Sequence, residues 1–162
     1  MNKEQFIEVI REHKNIIYKI CHTYCSNKEN HKDLEQDIIL QLWKSMDRYN
    51  GSVKMSTWLY RIALNTAISF YRKEGKRKHI SDQSILLISD DSYDTRLEEQ
   101  TALLHEFIAK LNSLDKALMV LYLDDTRYRD IAVILGISES NIATKINRIK
   151  SKLKDFFNQQ NL

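Results

Sequence analysis

The sequence contains no proline, only three glycines and only two cysteines among its 162 residues. The tight hairpins of a β-sandwich or barrel need turn residues that adopt positive φ, so the scarcity of glycine disfavours all-β folds. Cys21 and Cys25 lie one helical turn apart, where their Cβ vectors run parallel and a disulfide forms poorly. The composition therefore favours an all-α protein of one or two small domains, and it excludes a disulfide scaffold.

The sequence also lacks a long hydrophobic run. The longest aliphatic run, Ile85 to Ile88, is far too short to span a bilayer, and the first fifteen residues carry charges rather than an apolar signal core. These features predict a soluble, cytoplasmic protein with no membrane insertion.

Metal-ligand spacing is absent as well. The histidines fall in no HxxxH frame and the cysteines in no CxxC frame, so we expect no metal, no cofactor and no enzymatic activity. We interpret Cys21 and Cys25 as small packing residues, with redox sensing as the alternative.

The net charge of +3 is divided unevenly along the chain. Residues 1–79 carry 15 basic against 9 acidic residues, residues 80–100 carry 1 against 6, and residues 101–162 carry 9 against 7. This division predicts two small helical domains, 1–79 and 101–162, joined by an acidic, flexible linker at 80–100, with a polyanionic partner. The alternative is that the charges only solvate the surface and that the linker is a plain spacer.

Apolar residues at three- and four-residue steps predict the helices. One helix runs from Phe6 to Tyr24, a second begins near Asp33 as its N-cap and is stopped by Gly51, and a third covers Thr57 to Lys73. Residues 80–100 show no sustained period. Two further helices, around Phe107 and Leu118, open the second domain.

The segment 128–150, YRDIAVILGISESNIATKINRIK, has the spacing of a helix-turn-helix. Ala132, Gly136 and Ile142 stand where the motif needs a small residue, a turn glycine and a buried β-branched residue, and Ser138 can cap the second helix. The exposed face of that helix offers short polar and basic groups suited to a DNA major groove. The alternative is an ordinary helical hairpin whose polar face only meets water.

Two patterns mark the first domain. The stretch DLEQDIILQLWKSMDRYN, residues 33–50, combines an acidic, polar face with an aliphatic one. In STWLYRIALNTAISFYRKEGKRK, residues 56–78, aromatic residues alternate with basic ones. Aromatic rings stack on unpaired bases while Arg and Lys hold the backbone, so this mixture suits single-stranded nucleic acid. The alternative is that most of these aromatic residues pack in the core.

With these motifs in this order, the chain resembles the extracytoplasmic-function (ECF) type of bacterial RNA polymerase sigma factor. DLxQDIxLQLW is similar to the family's core-polymerase-binding helix, TWLYRIALNTAISFYR to its promoter-melting helix, and residues 111–153 to its region 4 domain. The resemblance implies a region 2 domain at 1–79, a region 4 domain at 101–162, and an alternative sigma factor that binds core polymerase and directs promoter recognition, strand opening and transcription initiation. It also implies three partners, which are core RNA polymerase (its β′ clamp helices and β flap), promoter DNA and an anti-sigma factor.

The resemblance further implies roles for individual residues. Docking on core polymerase falls to Asp33, Leu34, Gln36, Asp37, Leu40 and Gln41. Recognition and melting of the minus-ten element fall to Trp58, Arg61, Asn65, Ser69, Arg72 and Lys73, and a loop for a flipped base comprises Tyr49, Asn50, Lys54, Met55 and Ser56. Recognition of the minus-thirty-five element falls to Arg129, Asn141, Ala143, Thr144, Lys145, Asn147 and Arg148.

Ser69, Ala143 and Asn147 depart from the residues usual in the family, so the resemblance does not specify the promoter sequence. The competing function is a stand-alone helix-turn-helix repressor or activator, which would bind a palindromic duplex without polymerase.

Overall fold

The computed structural model describes residues 1–75 and 95–160. Within these ranges the chain forms eight α-helices and no strand, as the composition predicts. They are α1 (Lys3–Glu12), α2 (Lys14–Tyr24), α3 (Lys28–Ser45), α4 (Met55–Gly75), α5 (Thr95–Ala109), α6 (Ser113–Leu123), α7 (Tyr128–Leu135) and α8 (Glu139–Gln160), with a 3-10 turn at Met46–Arg48 after α3. Residues 80–94 of the predicted linker lie outside the described ranges, whereas residues 95–100 are helical and belong to α5.

Capping residues place two helix boundaries where the sequence analysis did not. The predicted helix Phe6–Tyr24 is two helices, because His13 ends α1: its backbone N–H and its Nδ1–H both donate to the Val9 carbonyl. Asn27, not Asp33, caps α3, and its side chain accepts a 2.8 Å hydrogen bond from the Asn30 N–H. The first free amides of α3 are thus satisfied more than a turn before Asp33.

Three helices build the core of the N-terminal half. Leu34, Ile38 and Leu42 recur every four residues along α3 and are fully buried against α2 and α4. Leu59 and Leu64 of α4 complete this core. Burial of each such side chain contributes about 1.5–3 kcal/mol, so this stripe determines which faces of α3 and α4 remain at the surface.

The C-terminal half contains the predicted helix-turn-helix. Gly136 ends α7 in the left-handed conformation, at φ 69°, and its N–H donates to the Ala132 carbonyl at 2.9 Å. The Ser138 hydroxyl accepts from the Asn141 N–H at 3.2 Å and caps α8, as predicted. Ile142 and Ile146 of α8 are fully buried.

The two halves contact each other. Helices α5, α6 and α7 pack against α2 or α4, so the N-terminal half covers one side of the C-terminal half. Cys21 and Cys25 are free and buried, and burial raises the pKa of each thiol to about 12. Thiolate is therefore scarce at neutral pH, which agrees with packing rather than redox chemistry.

Three histidines from three helices, the histidine cluster, meet near this contact: His22 of α2, His31 of α3 and His105 of α5. The His22 and His105 ring centroids are 5.8 Å apart, and Tyr18 packs on His22 and His31 at 6.0 and 5.2 Å. Burial, together with the charges of His105 and His31, holds the pKa of His22 below its ordinary value of 6.5. Protonating His22 is therefore harder in the folded protein than in the unfolded chain.

We expect the folded protein to lose stability as the pH falls below about 6.5, because the unfolded chain then binds the proton more readily. His22→Gln should show a smaller fall in thermal midpoint between pH 7 and pH 5.5 than the unaltered protein. His13→Gln, on α1's end and outside the cluster, is the control. Parallel pH profiles for His22→Gln and the unaltered protein would contradict this assignment.

Candidate functional site

Helix α4 presents a polar stripe to solvent along its whole length. Arg61, Asn65 and Ser69 are exposed and follow each other at four-residue steps, which places them on one face of the helix. Arg72 and Lys73 continue this face at the exposed end of α4, and Trp58 stands half-buried at its start. The structure therefore brings together all six residues assigned to the minus-ten element; we call them the α4 stripe.

The loop before α4 is braced by its own hydrogen bonds. The Tyr49 hydroxyl donates to the Val53 carbonyl at 2.9 Å, and the Asn50 side chain accepts from the Ser52 N–H at 3.0 Å. Gly51 supplies the left-handed residue, at φ 76°. The ring of Tyr49 lies 5.3 Å from that of Trp58, so the residues assigned to a flipped base adjoin the start of the α4 stripe. Met55 and Ser56 of that set are not loop residues, because they are the first two residues of α4.

Helix α8 turns a polar and basic face outward. Asn141, Thr144, Asn147 and Arg148 are exposed, whereas Ala143 and Lys145 are half-buried at its edge. Arg129 is exposed on α7. Because the inward face consists of isoleucines, the polar face is free to enter a groove. We call these seven residues the α8 face.

Five of the six residues assigned to polymerase docking lie on the exposed side of α3: Asp33, Gln36, Asp37, Leu40 and Gln41. The sixth, Leu34, is wrong as a surface residue. Its side chain has no exposed area, because it belongs to the buried Leu34, Ile38 and Leu42 stripe. Leu34 supports the docking helix from beneath and cannot contact a partner.

An apolar groove that the sequence analysis missed runs between α1 and α3. Its volume is about 550 Å³, and Ile7, Ile39, Leu40 and Trp43 line it together with Phe6, on which the Trp43 ring packs edge-on at 5.1 Å. Leu40 is 46% exposed and Trp43 40%. Contiguous exposed apolar surface of this kind marks a contact with another molecule. Two apolar residues three apart on an otherwise polar face, Leu40 and Trp43, were the available signal in the sequence.

The described parts of the chain contain neither a metal site nor a membrane-spanning helix. Over residues 1–75 and 95–160 no group of His, Cys, Asp or Glu side chains is arranged to hold a metal ion. No helix in the same ranges has the length and apolarity needed to cross a membrane.

Each half of the chain matches the model of a known protein family. The model of sigma-70 region 2 matches residues 9–77, and the model of sigma-70 region 4 matches residues 101–153. The chain is 31% identical over 136 residues to the ECF RNA polymerase sigma factor EcfG of Rhodopseudomonas palustris, covering 78% of this chain and 71% of that protein. The chain belongs to the ECF type of the sigma-70 family. This sigma factor is also 26% identical over 147 residues to RNA polymerase sigma factor SigV of Bacillus subtilis, covering 90% of this chain and 87% of that one.

Solved structures share the fold of this sigma factor. A chain of the CnrH complex with the cytosolic domain of CnrY superposes with a TM-score of 0.71 at 18% identity, covering 98% of this chain and 90% of that one. A chain of the complex between the sigma factor RpoE and the anti-sigma factor NepR from Bartonella quintana gives 0.73 at 19%, covering 96% of each.

Family membership decides between the two functions that the sequence left open. The chain is an alternative sigma factor that directs promoter recognition and transcription initiation, and not a stand-alone repressor or activator. Sigma factors are initiation factors rather than enzymes.

Proposed function

We propose that this sigma factor docks on the β′ clamp helices of core RNA polymerase through α3 and reads a two-part promoter with the α4 stripe and the α8 face. The α4 stripe carries this proposal, because its six assigned residues form one surface beside a self-braced loop. In this proposal residues 1–79 act as the region 2 domain and 101–162 as the region 4 domain, which also contacts the β flap. Residues 80–100 connect the two domains, and the last of them, 95–100, form the start of α5.

The docking surface combines a polar rim with an apolar centre. Asp33, Gln36 and Asp37 supply the rim, and Leu40 and Trp43 supply exposed apolar area beside the groove. Protein interfaces commonly place most of their binding energy in a few such apolar or aromatic residues. We therefore extend the docking surface to Trp43, which the family resemblance did not include.

Promoter opening is assigned to the α4 stripe and the loop before it. Asn65 reads a base of the minus-ten element, and Arg61, Arg72 and Lys73 hold the phosphates of the separated strand. A flipped base costs a few kcal/mol to extrude, which stacking on an aromatic ring such as Trp58 offsets by about 1–3 kcal/mol. Strand opening should therefore need the additional grip of polymerase.

Upstream recognition is assigned to the α8 face in the major groove of the minus-thirty-five element. Asn141, Thr144, Asn147 and Arg148 have polar side chains suited to base edges, whereas Arg129 and Lys145 carry charges suited to phosphates. These phosphate contacts make binding weaker as salt rises.

An anti-sigma factor is the further partner that we propose. RpoE of Bartonella quintana, whose complex shares this fold, is bound by the anti-sigma factor NepR. An inhibitor that covers α3 and the α4 stripe would silence the present chain. We propose that the present sigma factor acts in the cytoplasm, where RNA polymerase works, and that it uses no cofactor and makes or breaks no covalent bond.

The proposed function can be tested by transcription with reconstituted holoenzyme on genomic templates, followed by sequencing of the transcripts. We expect a defined set of start sites that disappears when the sigma factor is omitted. No specific start site would overturn the proposal. Tight binding of a palindromic duplex without polymerase would favour the repressor function instead.

Asn65→Ala should reduce open-complex formation at a cognate promoter by about tenfold, which equals about 1.4 kcal/mol. The side chain is exposed on the α4 stripe, so its loss removes a DNA contact without disturbing the core. Permanganate footprinting measures opening, and affinity for core polymerase should be unchanged. Asn15→Ala, which truncates an exposed asparagine on α2, is the matched control; if both variants open the promoter equally, Asn65 does not read it.

A further inference from the structure

Helix α8 continues well beyond the residues assigned to the minus-thirty-five element. It runs from Glu139 to Gln160, a length of about 33 Å, and Arg148, the last residue of the α8 face, lies less than half-way along it. The following turns carry three exposed lysines at alternate positions, Lys150, Lys152 and Lys154. None of these lysines belongs to the α8 face, so the proposed function leaves them without a role.

The lysines of α8 lie along two opposite edges of its exposed side. Successive residues of a helix point about 100° apart, so Lys145 and Lys152, seven positions apart, share one edge within about 20°. Lys150 and Lys154, four positions apart, share the other edge within about 40°. The exposed Thr144 lies about midway between these edges, on the side away from the buried isoleucines. We call the two pairs the first and the second lysine edge.

The described parts of the chain provide no acidic partner for these lysines. Helix α8 contains five basic residues against only Glu139 and Asp155, and within residues 1–75 and 95–160 no ion pair includes a residue of α8. Lys150 Nζ lies 4.7 Å from the centre of the Tyr122 ring, a contact that leaves its charge in place. Like charges four residues apart, such as those of Lys150 and Lys154, destabilise a helix. A polyanion that contacts both edges would relieve this repulsion.

The two lysine edges match the dimensions of a DNA major groove. A helix with its side chains is about 10–12 Å across and the groove is about 12 Å wide, so a helix in the groove has a phosphate strand along each side. With Thr144 turned toward the base pairs, the first lysine edge faces one strand and the second faces the other. Lys154 lies about 15 Å beyond Thr144 along the helix axis, so contacts at both edges require α8 to lie along the groove.

We propose that Lys152 and Lys154 bind phosphates on opposite strands of the minus-thirty-five element, so that α8 lies along the major groove over about four turns. This inference rests on the proposed function, because it adds two contacts to the surface that we assign to upstream DNA. Phosphate contacts do not read the sequence, but they fix the register and orientation of a protein on the duplex. The two lysines therefore help to determine which base edges the α8 face reaches.

Lys152→Gln and Lys154→Gln test the proposal in reconstituted holoenzyme. Each variant removes one charge and keeps a good helix former, so the fold should persist. We expect each to weaken holoenzyme binding to a cognate promoter about eightfold at 0.1 M salt, and to reduce the steepness of log affinity against log salt concentration by about 0.9. Lys110→Gln, which removes an exposed charge from α5 of the same half, should change neither value.

Ethylation interference on the same promoter distinguishes the two strands. With the unaltered holoenzyme, ethylated phosphates on both strands of the minus-thirty-five element should hinder binding. Lys152→Gln should lose this sensitivity at a phosphate of one strand and Lys154→Gln at a phosphate of the other, whereas Lys110→Gln should retain both. Loss on the same strand in both variants, or no loss in either, would overturn the proposal.

The affinity for core polymerase distinguishes DNA from an acidic protein surface as the partner of these lysines. All three variants should bind core polymerase as tightly as the unaltered sigma factor. Weaker assembly with unchanged ethylation interference would assign the lysines to an acidic surface of the polymerase and overturn the proposal. The proposed function fails separately, if the unaltered holoenzyme starts no specific transcript.

Discussion

Leu40→Asp should weaken binding to core polymerase by at least about thirtyfold, a loss of about 2 kcal/mol. Leu40 lies beside the apolar groove with nearly half of its side chain exposed, so an aspartate there stays hydrated in the free protein and the fold should persist. In the complex the new carboxylate would be desolvated against an apolar partner surface. It would also add to the charges of Asp33 and Asp37 on the same helix.

Affinity can be measured by fluorescence anisotropy of labelled sigma factor titrated with core polymerase. Leu97→Asp is the matched control, because Leu97 is similarly exposed, at 51%, but lies on α5 away from the groove. Circular dichroism and the thermal midpoint of both variants should stay near those of the unaltered protein. Equal affinities of the two variants for core polymerase would show that α3 and its groove are not part of the docking surface.

Local chemistry made the helix-turn-helix predictable from the sequence. Gly136 occupies a left-handed position that other residues adopt at a cost, and Ser138 supplies the oxygen that an exposed helix start requires. Both requirements act within a few residues, so neither depends on the rest of the chain. The exposed stripe of α4 was predictable for a related reason, since four-residue spacing alone places Arg61, Asn65 and Ser69 together.

The inner face of α3 was harder to identify. Apolar residues occupy more than one side of this helix, so its periodicity did not tell which of them faces the core. Burial against α2 and α4 selects Leu34, Ile38 and Leu42, and it leaves Leu40 and Trp43 at the surface. The choice is made by tertiary packing, which explains both the incorrect assignment of Leu34 and the missed groove.

The sequence pattern could not predict the contacts between the halves, because these contacts also depend on tertiary packing. Lys19 is exposed on α2, Tyr60 is buried on α4 and Asp124 follows the end of α6, and only the fold brings the first two to the Asp124 carboxylate, which accepts hydrogen bonds from both. The charge division placed residues 95–100 in the predicted linker, whereas these residues form the start of α5. It also gave no sign that α5, α6 and α7 pack against α2 or α4.

Replacement of Lys116 should have the second large effect, a change in the free energy of unfolding. Its side chain is only 3% exposed, and Nζ has a 3.0 Å hydrogen bond to the Ala109 carbonyl and lies 5.2 Å from the centre of the Tyr71 ring of the other half. Burial lowers the pKa of Lys116 to about 8 from an ordinary 10.5, slightly opposed by Cys25. At neutral pH the folded protein therefore holds a charge that it solvates poorly.

Lys116→Met should raise the free energy of unfolding at pH 7 by about 2 kcal/mol, because it removes this buried charge and keeps the apolar chain. The downward direction of the Lys116 pKa shift also determines how the stability of the fold depends on pH. Between about pH 8 and pH 10.5 the unfolded chain binds the proton that the folded protein has lost, so the unaltered protein gains stability as pH rises there. The advantage of the variant should therefore shrink between pH 7 and pH 9.5.

Urea unfolding of both proteins at pH 7 and pH 9.5 measures this difference directly. Lys110→Met is the control, since the exposed Lys110 makes only a surface ion pair with Glu106, at 3.2 Å, and a contact with the Phe156 ring; we expect a change below about 0.5 kcal/mol. A Lys116→Met variant that is no more stable than the unaltered protein at pH 7, or that has the same advantage at pH 7 and pH 9.5, would show that the buried ammonium does not destabilise the folded protein.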